Sequence, residues 1–418
     1  METKRNVFLW ALYDFANSLV SIVFFLYFAQ WIVIDKGVPD IYFNLTFTIS
    51  AILLLLTAPI SGTLLDKFLR RITGLRYATV FTAVLLGACA LSVISDHPIS
   101  ALIFFTLGFY AYLLSFTFYT PLIKDIVKPE KRGFVSGLGI TANYIGQIAG
   151  LLIALPLSTG SLSLFGATPR AETLLPSVLA FFICSLPMLI FFKEPQRPKE
   201  NLMLKSRLKE VVRETKLLFS YHSVLVFLLA FFLFNDAILT ASNNFSIFLE
   251  QVWGVSDTIK TYILLGILIT SALGGILSGF IADRFGHKRT LMFILSGWVI
   301  ILPAVGLITN FSLFVVATTV MGLWLGSNWT VSRSVMAYVA PKGKHNLVFA
   351  YYGLAERASA LLGPVVWGLI VSNLLELGSF RYRLATLVIS LFIILGLIAL
   401  SRIKDDRKLR NAPSALDI

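Results

Sequence analysis

The sequence predicts an all-α integral membrane protein with twelve transmembrane helices arranged as two six-helix pseudo-repeats. Three observations lead there. Of 418 residues, 57% are hydrophobic and only 14% charged, where a soluble protein carries roughly a quarter charged. Twelve apolar runs are long enough for a helical span, which takes about 20 residues. A glycine-acid-base loop recurs at matching places in the two halves of the chain.

The runs lie at 7–34, 42–65, 76–95, 99–123, 134–157, 175–192, 222–250, 259–281, 291–308, 312–339, 347–371 and 383–401. The first follows a short basic stretch, Met1 to Arg5, as a signal peptide would. It is too long for a signal core, contains Asp14 and offers no small-residue cleavage site, so it reads as a permanent span. The expected organisation is a first bundle at 1–192, a linker at 193–221, a second bundle at 222–401 and a tail at 402–418. In the linker, Pro195 and Pro198 precede "LKSRLKEVVRETKLLF". There Leu204, Leu208, Val211 and Leu218 share one face between basic residues, which predicts an amphipathic helix on the inner membrane surface.

The formal net charge of +13 is explained by where the bases lie. Of 35 Lys and Arg, 28 fall in the tails and loops on the side of the N-terminus. Five (Lys36, Arg170, Lys260, Arg381 and Arg383) lie opposite, and two (Arg333 and Arg357) lie inside spans. The positive-inside rule then places both termini in the cytoplasm, so a nucleic-acid surface is not called for. Cys89 and Cys184 sit inside apolar runs and read as small buried hydrophobes. His97, His222, His287 and His345 are scattered at span ends without ligand spacing. No phosphate-binding loop is present. No metal, cofactor or direct ATP drive is expected; the expected partners are a small-molecule solute and the bilayer, with the monomer as the functional unit.

The repeat is specific. "GTLLDKFLRRIT" (62–73) follows span two and "GFIADRFGHKRT" (279–290) follows span eight. Gly62 and Gly279, Asp66 and Asp283, and Lys67 and Arg284 correspond at an offset of 217 residues. Pro129 in "IVKPEKRG" and Pro341 in "YVAPKGKH" correspond at 212. Glycines in such a loop permit close helix approach, and an acid followed by bases can pair with them and with helix ends. One copy would read as topogenic charge. Two copies read as a conformational gate at the inner face.

"GFIADRFGHKR" resembles the loop signature of the major facilitator superfamily. "GTLLDKFLRR" is a degraded copy, with Leu69 where Gly286 stands in the second. Together with "WALYDFANS", "YTPLIKDIVKPEKRGFVSGLG", "FLLAFFLFNDAILT" and "SRSVMAYVAPKGKHNLVFAYYGLAERASALLGPVVWGL", the chain resembles the vacuole-effluxer-like branch, named for fungal vacuolar amino-acid exporters linked to autophagy. The resemblance implies the major facilitator fold and secondary transport by alternating access. It implies amino-acid efflux or exchange, with spans three, six, nine and twelve peripheral and the others around a central cavity. The chain departs from the branch at Glu356–Arg357, where a small residue and a single base are expected.

The intramembrane polar residues supply the candidate site. Asp14, Asn17, Ser18 and Ser21 follow i, i+3, i+4, i+7 in span one and share a face. Asp236, Thr240 and Asn243 do the same in span seven, with Asn235 and Asn244 adjacent. Asn143 and Gln147 share a face of span five. Glu356 and Arg357 lie on the order of 15 Å into span eleven, at 1.5 Å per residue. A charge at that depth costs ~2.5–3.5 kcal/mol on the insertion scale, and Asp is too short to snorkel, so Asp14 and Asp236 read as facing a water-accessible cavity. Plainer readings stand beside these. Asn17, Asn143 and Gln147 could bond helix to helix, Arg333 could snorkel to the interface, and Glu356 could simply neutralise Arg357.

Three acids against two bases inside the spans disfavour an anion and suit a zwitterion, with one acid left as a candidate carrier of H+ or Na+. Many proton-coupled members of the superfamily that the chain resembles carry an Arg in span four, and by that resemblance its absence here counts against proton coupling. A peptide, a sugar or a drug is the alternative solute class, and a membrane-embedded enzyme or a channel the alternative protein class. Short tails suit a prokaryotic cytoplasmic membrane.

Overall fold

The computed structural model describes residues 2–67, 70–127, 132–194, 220–341 and 345–403, with positions 213 and 216. Most of the expected linker helix, the tail beyond 403 and the side chains of Gly62, Asp66 and Lys67 lie outside the described residues.

Among the described residues, twelve helices are long and apolar enough to cross a membrane. They are α1 (Lys4–Asp35), α2 (Asp40–Ala58), α3 (Arg71–Ile94), α4 (Pro98–Leu122), α5 (Val135–Ser158), α6 (Pro169–Phe191), α7 (His222–Trp253), α8 (Asp257–Phe285), α9 (His287–Leu307), α10 (Phe311–Val339), α11 (Leu347–Asn373) and α12 (Phe380–Ser401). No strand occurs among the described residues. Helix ends run past the apolar runs where charge begins. Helix α3 starts at Arg71, whose guanidinium reaches the Pro121 carbonyl and Asp125 (3.3 and 3.4 Å). Large apolar side chains point outward, with Phe280, Phe293 and Ile300 70–72% exposed, as a lipid-facing surface requires.

The packing repeats with a period of six helices. In the first half α1 packs on α5 and α6, α3 on α4 and α6, and α2 on α4. In the second half α9 packs on α10, α8 on α10 through Gly322 and Gly326, and α7 on α11 through hydrogen bonds. Helix α12 lies on α7 at Gly396 and on α9, where Arg383 donates to the Gly306 and Ile308 carbonyls (2.8 and 2.7 Å). Lipid tails are as apolar as leucine, so burial alone does not drive such contacts; close backbone approach and polar bonds do. Gly146 and Gly150 of α5 fit that rule, since a Cβ at either would overlap the Phe15 or Leu19 carbonyl of α1.

Helices α1 and α11 are irregular. Helix α1 widens into π turns at Phe24–Phe28 and Trp31–Asp35, around a stack of Phe24, Phe28 and Trp31 with Phe105 of α4. Each wide turn adds a residue, so the polar stripe of α1 cannot be extrapolated beyond Val23 at 3.6 residues per turn. Helix α11 is broken. It runs as His345–Ala358, leaves helical geometry over residues 359–362, and restarts as Gly363–Asn373. In the sequence, Gly363–Pro364 after "SALL" predicts close packing and a bend; the chain instead leaves the helix altogether. Gly363 followed by Pro364 supplies a restart without a clash, because proline tolerates the first turn of a helix but not its interior.

The chain divides into two compact units. One comprises Met1–Lys209, Ser242–Leu265 and Pro364–Arg381; the other comprises Glu210–Ala241, Gly266–Gly363 and Tyr382–Ile418.

Candidate solute-transport site

In the first unit the polar stripe of α1 is largely buried. Asn17 is fully buried; its Nδ2 donates to the Tyr13 carbonyl (3.0 Å), and its Oδ1 has no partner among the described residues. Ser18 is buried and donates to the Asp14 carbonyl (2.9 Å). Asp14 is half-buried, with its carboxylate beside Gly139 of α5, where a Cβ would come within 3.1 Å of Oδ2. Small residues in α5 thus leave room for the charged face of α1. Asn143 and Gln147, a turn apart on α5, bond each other at 2.7 Å. Behind the stripe, Trp10 stacks on Tyr119 at 4.8 Å, the Tyr119 hydroxyl donates to the Trp10 carbonyl, and the Tyr13 hydroxyl lies 2.7 Å from Thr79. This aromatic brace fixes the pitch and rotation of α1.

In the second unit the break in α11 organises the site. Asp236 of α7 is fully buried, and its Oδ2 accepts the backbone N–H groups of Leu362 (3.0 Å) and Gly363 (2.8 Å). The carboxylate therefore caps the restarting helix from outside, where exposed N–H groups and the helix dipole favour negative charge. By hydrogen-bond geometry its Oδ1 has no partner among the described residues. Gly363 has no room for a side chain, because a Cβ would overlap the Thr240 hydroxyl. The neighbouring Asn235 holds the other side of the break. It donates to Ser359 Oγ (2.5 Å) and to the Glu356 carbonyl (3.3 Å), and accepts from Trp329 Nε1 (3.0 Å). Arg333 approaches Glu356 at 3.4 Å, and Arg357 donates to the Gly353 carbonyl (2.7 Å). So Asn235, Asp236, Thr240, Arg333, Glu356 and Arg357 gather around one helix break. Trp329 and Ser359 belong there too, and nothing in sequence spacing marked them. Asn243 is buried but falls in the other unit.

Of the loop residues, Asp283 and Arg284 are exposed, with the Arg284 guanidinium 5.6 Å from the Phe285 ring. A Cβ on Gly279 would meet no atom within 4 Å, so among the described residues the close helix approach expected at this glycine is not formed. It occurs at Gly274, Gly322 and Gly326 instead. Gly286 has φ of +100°, a left-handed value that favours glycine and explains its place in the signature.

A group of charges that sequence reasoning missed lies in the first unit, at the helix ends opposite the chain termini. Arg170 binds Asp257 with Nε and Nη2 (2.9 and 3.1 Å), Glu250 with Nη2 (2.6 Å) and Asp35 with Nη1 (2.6 Å). Lys260, fully buried, donates to Gln30, Glu250 and Asp257. The available signal was the scarcity of bases on this side, together with the acids that stand at the neighbouring span ends.

Twelve helices with a six-helix packing repeat and a polar, broken-helix interior define a membrane transporter of the major facilitator type. The family described as Vacuole effluxer Atg22 like is matched over residues 45–413, and the chain belongs to it. YxiO, an uncharacterized MFS-type transporter of Bacillus subtilis, is 25% identical over 389 residues, 85% of this chain and 86% of that protein. Autophagy-related protein 22 of Saccharomyces cerevisiae is 29% identical over 182 residues, 40% of this chain and 34% of that one. Among solved structures, the nucleoside transporter NupG superposes with a TM-score of 0.72 at 14% identity, covering 95% of this chain and 99% of that one. That likeness is one of fold alone.

Proposed function

We propose that the protein is a secondary active transporter that exports or exchanges a small zwitterion, an amino acid, by alternating access between two six-helix halves. The observation that carries the reading is the break in α11, held on both sides by Asn235 and Asp236 of α7. Discontinuous helices with exposed backbone at membrane depth are characteristic of solute and ion sites in transporters. Asp14 is the candidate partner for an ammonium group. Arg357 is the candidate partner for a carboxylate, which guanidinium groups bind in bidentate fashion. Asn17, Ser18, Asn143, Gln147, Thr240 and Asn243 are candidates for orienting the solute, and Arg333 with Glu356 for balancing charge. Asp14 or Asp236 is the candidate carrier of a coupling cation, H+ or Na+. Asp66 and Asp283, with Lys67 and Arg284, are the proposed gate of the termini-bearing face. A prokaryotic cytoplasmic membrane with both termini inside is the proposed setting.

The test is a thermal-shift screen of amino acids, their amides and the matching decarboxylated amines. A zwitterion site stabilises the protein with the amino acid and loses that effect with the amide and with the amine. Arg357→Ala should abolish the preference for a free carboxylate. An equal response to all three compound classes refutes the zwitterion reading.

A further inference from the structure

We infer that Arg170 and Lys260 are the two keys of a reversible lock that holds shut the membrane face opposite the chain termini. The inference rests on the alternating-access reading and adds the device that closes one of its two faces. Its members come from both halves of the repeat: Gln30 and Asp35 from α1 and Arg170 from α6, Glu250 from α7, and Asp257 and Lys260 from α8. The compact unit that holds them takes in the ends of α7 and α8, Ser242–Leu265, with the first-half helices.

The local structure aims Arg170. It sits on the first turn of α6, Pro169–Glu172. The buried Glu172 carboxylate accepts the N–H groups of Leu164, Phe165 and Ala167 and fixes the preceding loop. Beneath the lock, Ser158 donates to the Tyr27 hydroxyl (3.1 Å), which lies 3.3 Å from Thr261. The reciprocal amide pair Asn44–Asn244 (3.0 and 2.8 Å) and the Ile41 N–H to Ser372 bond (3.1 Å) join α2 to α7 and α11. Lys36 pairs with Asp96 beside the lock but outside it.

The chemistry suits a contact that opens. Ion pairs taken out of water add little net stability compared with an apolar seal of the same shape, and water can solvate each partner once they separate. An aromatic seal would expose apolar surface at every opening. Breaking one key while the face stays shut strands its partners, which favours the open state.

The test uses the full chain in oriented vesicles, with Cys89→Ala, Cys184→Ala and Ser246→Cys. Ser246 is buried, one turn from Glu250 on α7, with its hydroxyl on the Phe25 carbonyl. A membrane-impermeant maleimide is applied to each face separately. Arg170→Ala should speed labelling from the face opposite the termini by about tenfold, the change that ~1.4 kcal/mol makes in an equilibrium. Arg170→Lys, which keeps the charge but loses the fork that spans three carboxylates, should raise the rate less than Arg170→Ala. Asp35→Asn, nearly isosteric and at the rim, should raise it roughly twofold, and Lys36→Met should not, consistent with the weak coupling of exposed pairs. Arg170→Ala can fail to fold, so Asp35→Asn keeps the claim open to refutation. Rates unchanged by Asp35→Asn, or raised equally by Lys36→Met, overturn the lock. Should the thiol introduced at position 246 resist labelling from both faces in every variant, alternating access fails along with it.

Discussion

Asp236 shows how a carboxylate is accommodated at membrane depth. An isolated charge there is costly, but this one accepts two backbone N–H groups that a broken helix would otherwise leave unpaired. Cost and benefit therefore fall on the same contact. Asp236→Asn keeps an oxygen that can accept those bonds, whereas Asp236→Ala leaves them unmade, at ~1–3 kcal/mol for each buried group. Unfolding of purified protein should show Asp236→Ala clearly destabilised and Asp236→Asn close to the parent. Equal loss in both would mean that charge, and not the cap, holds the break. Gly363→Ala tests the neighbouring atom: its Cβ would overlap Thr240, so transport should fall even though alanine is the better helix former.

At the scale of helices, small residues and paired amides set the contacts. Asn44 and Asn244 exchange two hydrogen bonds between α2 and α7. Leucine at either position leaves the other amide stranded, whereas leucine at both removes the mismatch. A double-mutant cycle on Asn44→Leu and Asn244→Leu should give a coupling of ~0.6–1.7 kcal/mol, the range for hydrogen bonds between membrane helices. Additive effects would show that the pair contributes nothing specific. Gly150→Leu on α5 should prevent assembly, because no side chain fits against the Leu19 carbonyl; a monodisperse, folded Gly150→Leu protein would contradict the packing. The helices themselves were legible in the sequence, since hydropathy reports a span whatever its partners are. Gly146 and Gly150 stand at GxxxG spacing in α5, a local pattern that reads as helix packing, and the contact with α1 forms there. The break in α11 was half legible, as Gly363–Pro364 marked the place but not the cap, which comes from a residue 127 positions away. The Asn44–Asn244 pair, 200 residues apart, left no local trace at all.

At the scale of the molecule, the repeated loop and the family signature identified the architecture, because duplication leaves its mark at a fixed offset. The charged lock was not legible. Asp35, Arg170, Glu250, Asp257 and Lys260 each stand at a span end, where a charge is ordinary, and only the fold brings them together. The proposed sidedness rests on charge statistics and has its own check: tags on both termini should be shielded from added protease in intact cells and cleaved after permeabilisation. Cleavage in intact cells would reverse the orientation. The central claim, transport of a zwitterion by alternating access, is tested most directly by counterflow in proteoliposomes. Vesicles loaded with an unlabelled amino acid should transiently accumulate the same amino acid added in labelled form outside. Unlabelled amino acid added with the label should compete, and the matching amide and amine should not. No loading-dependent accumulation across the amino acids, or equal competition by amide and amine, would contradict the account.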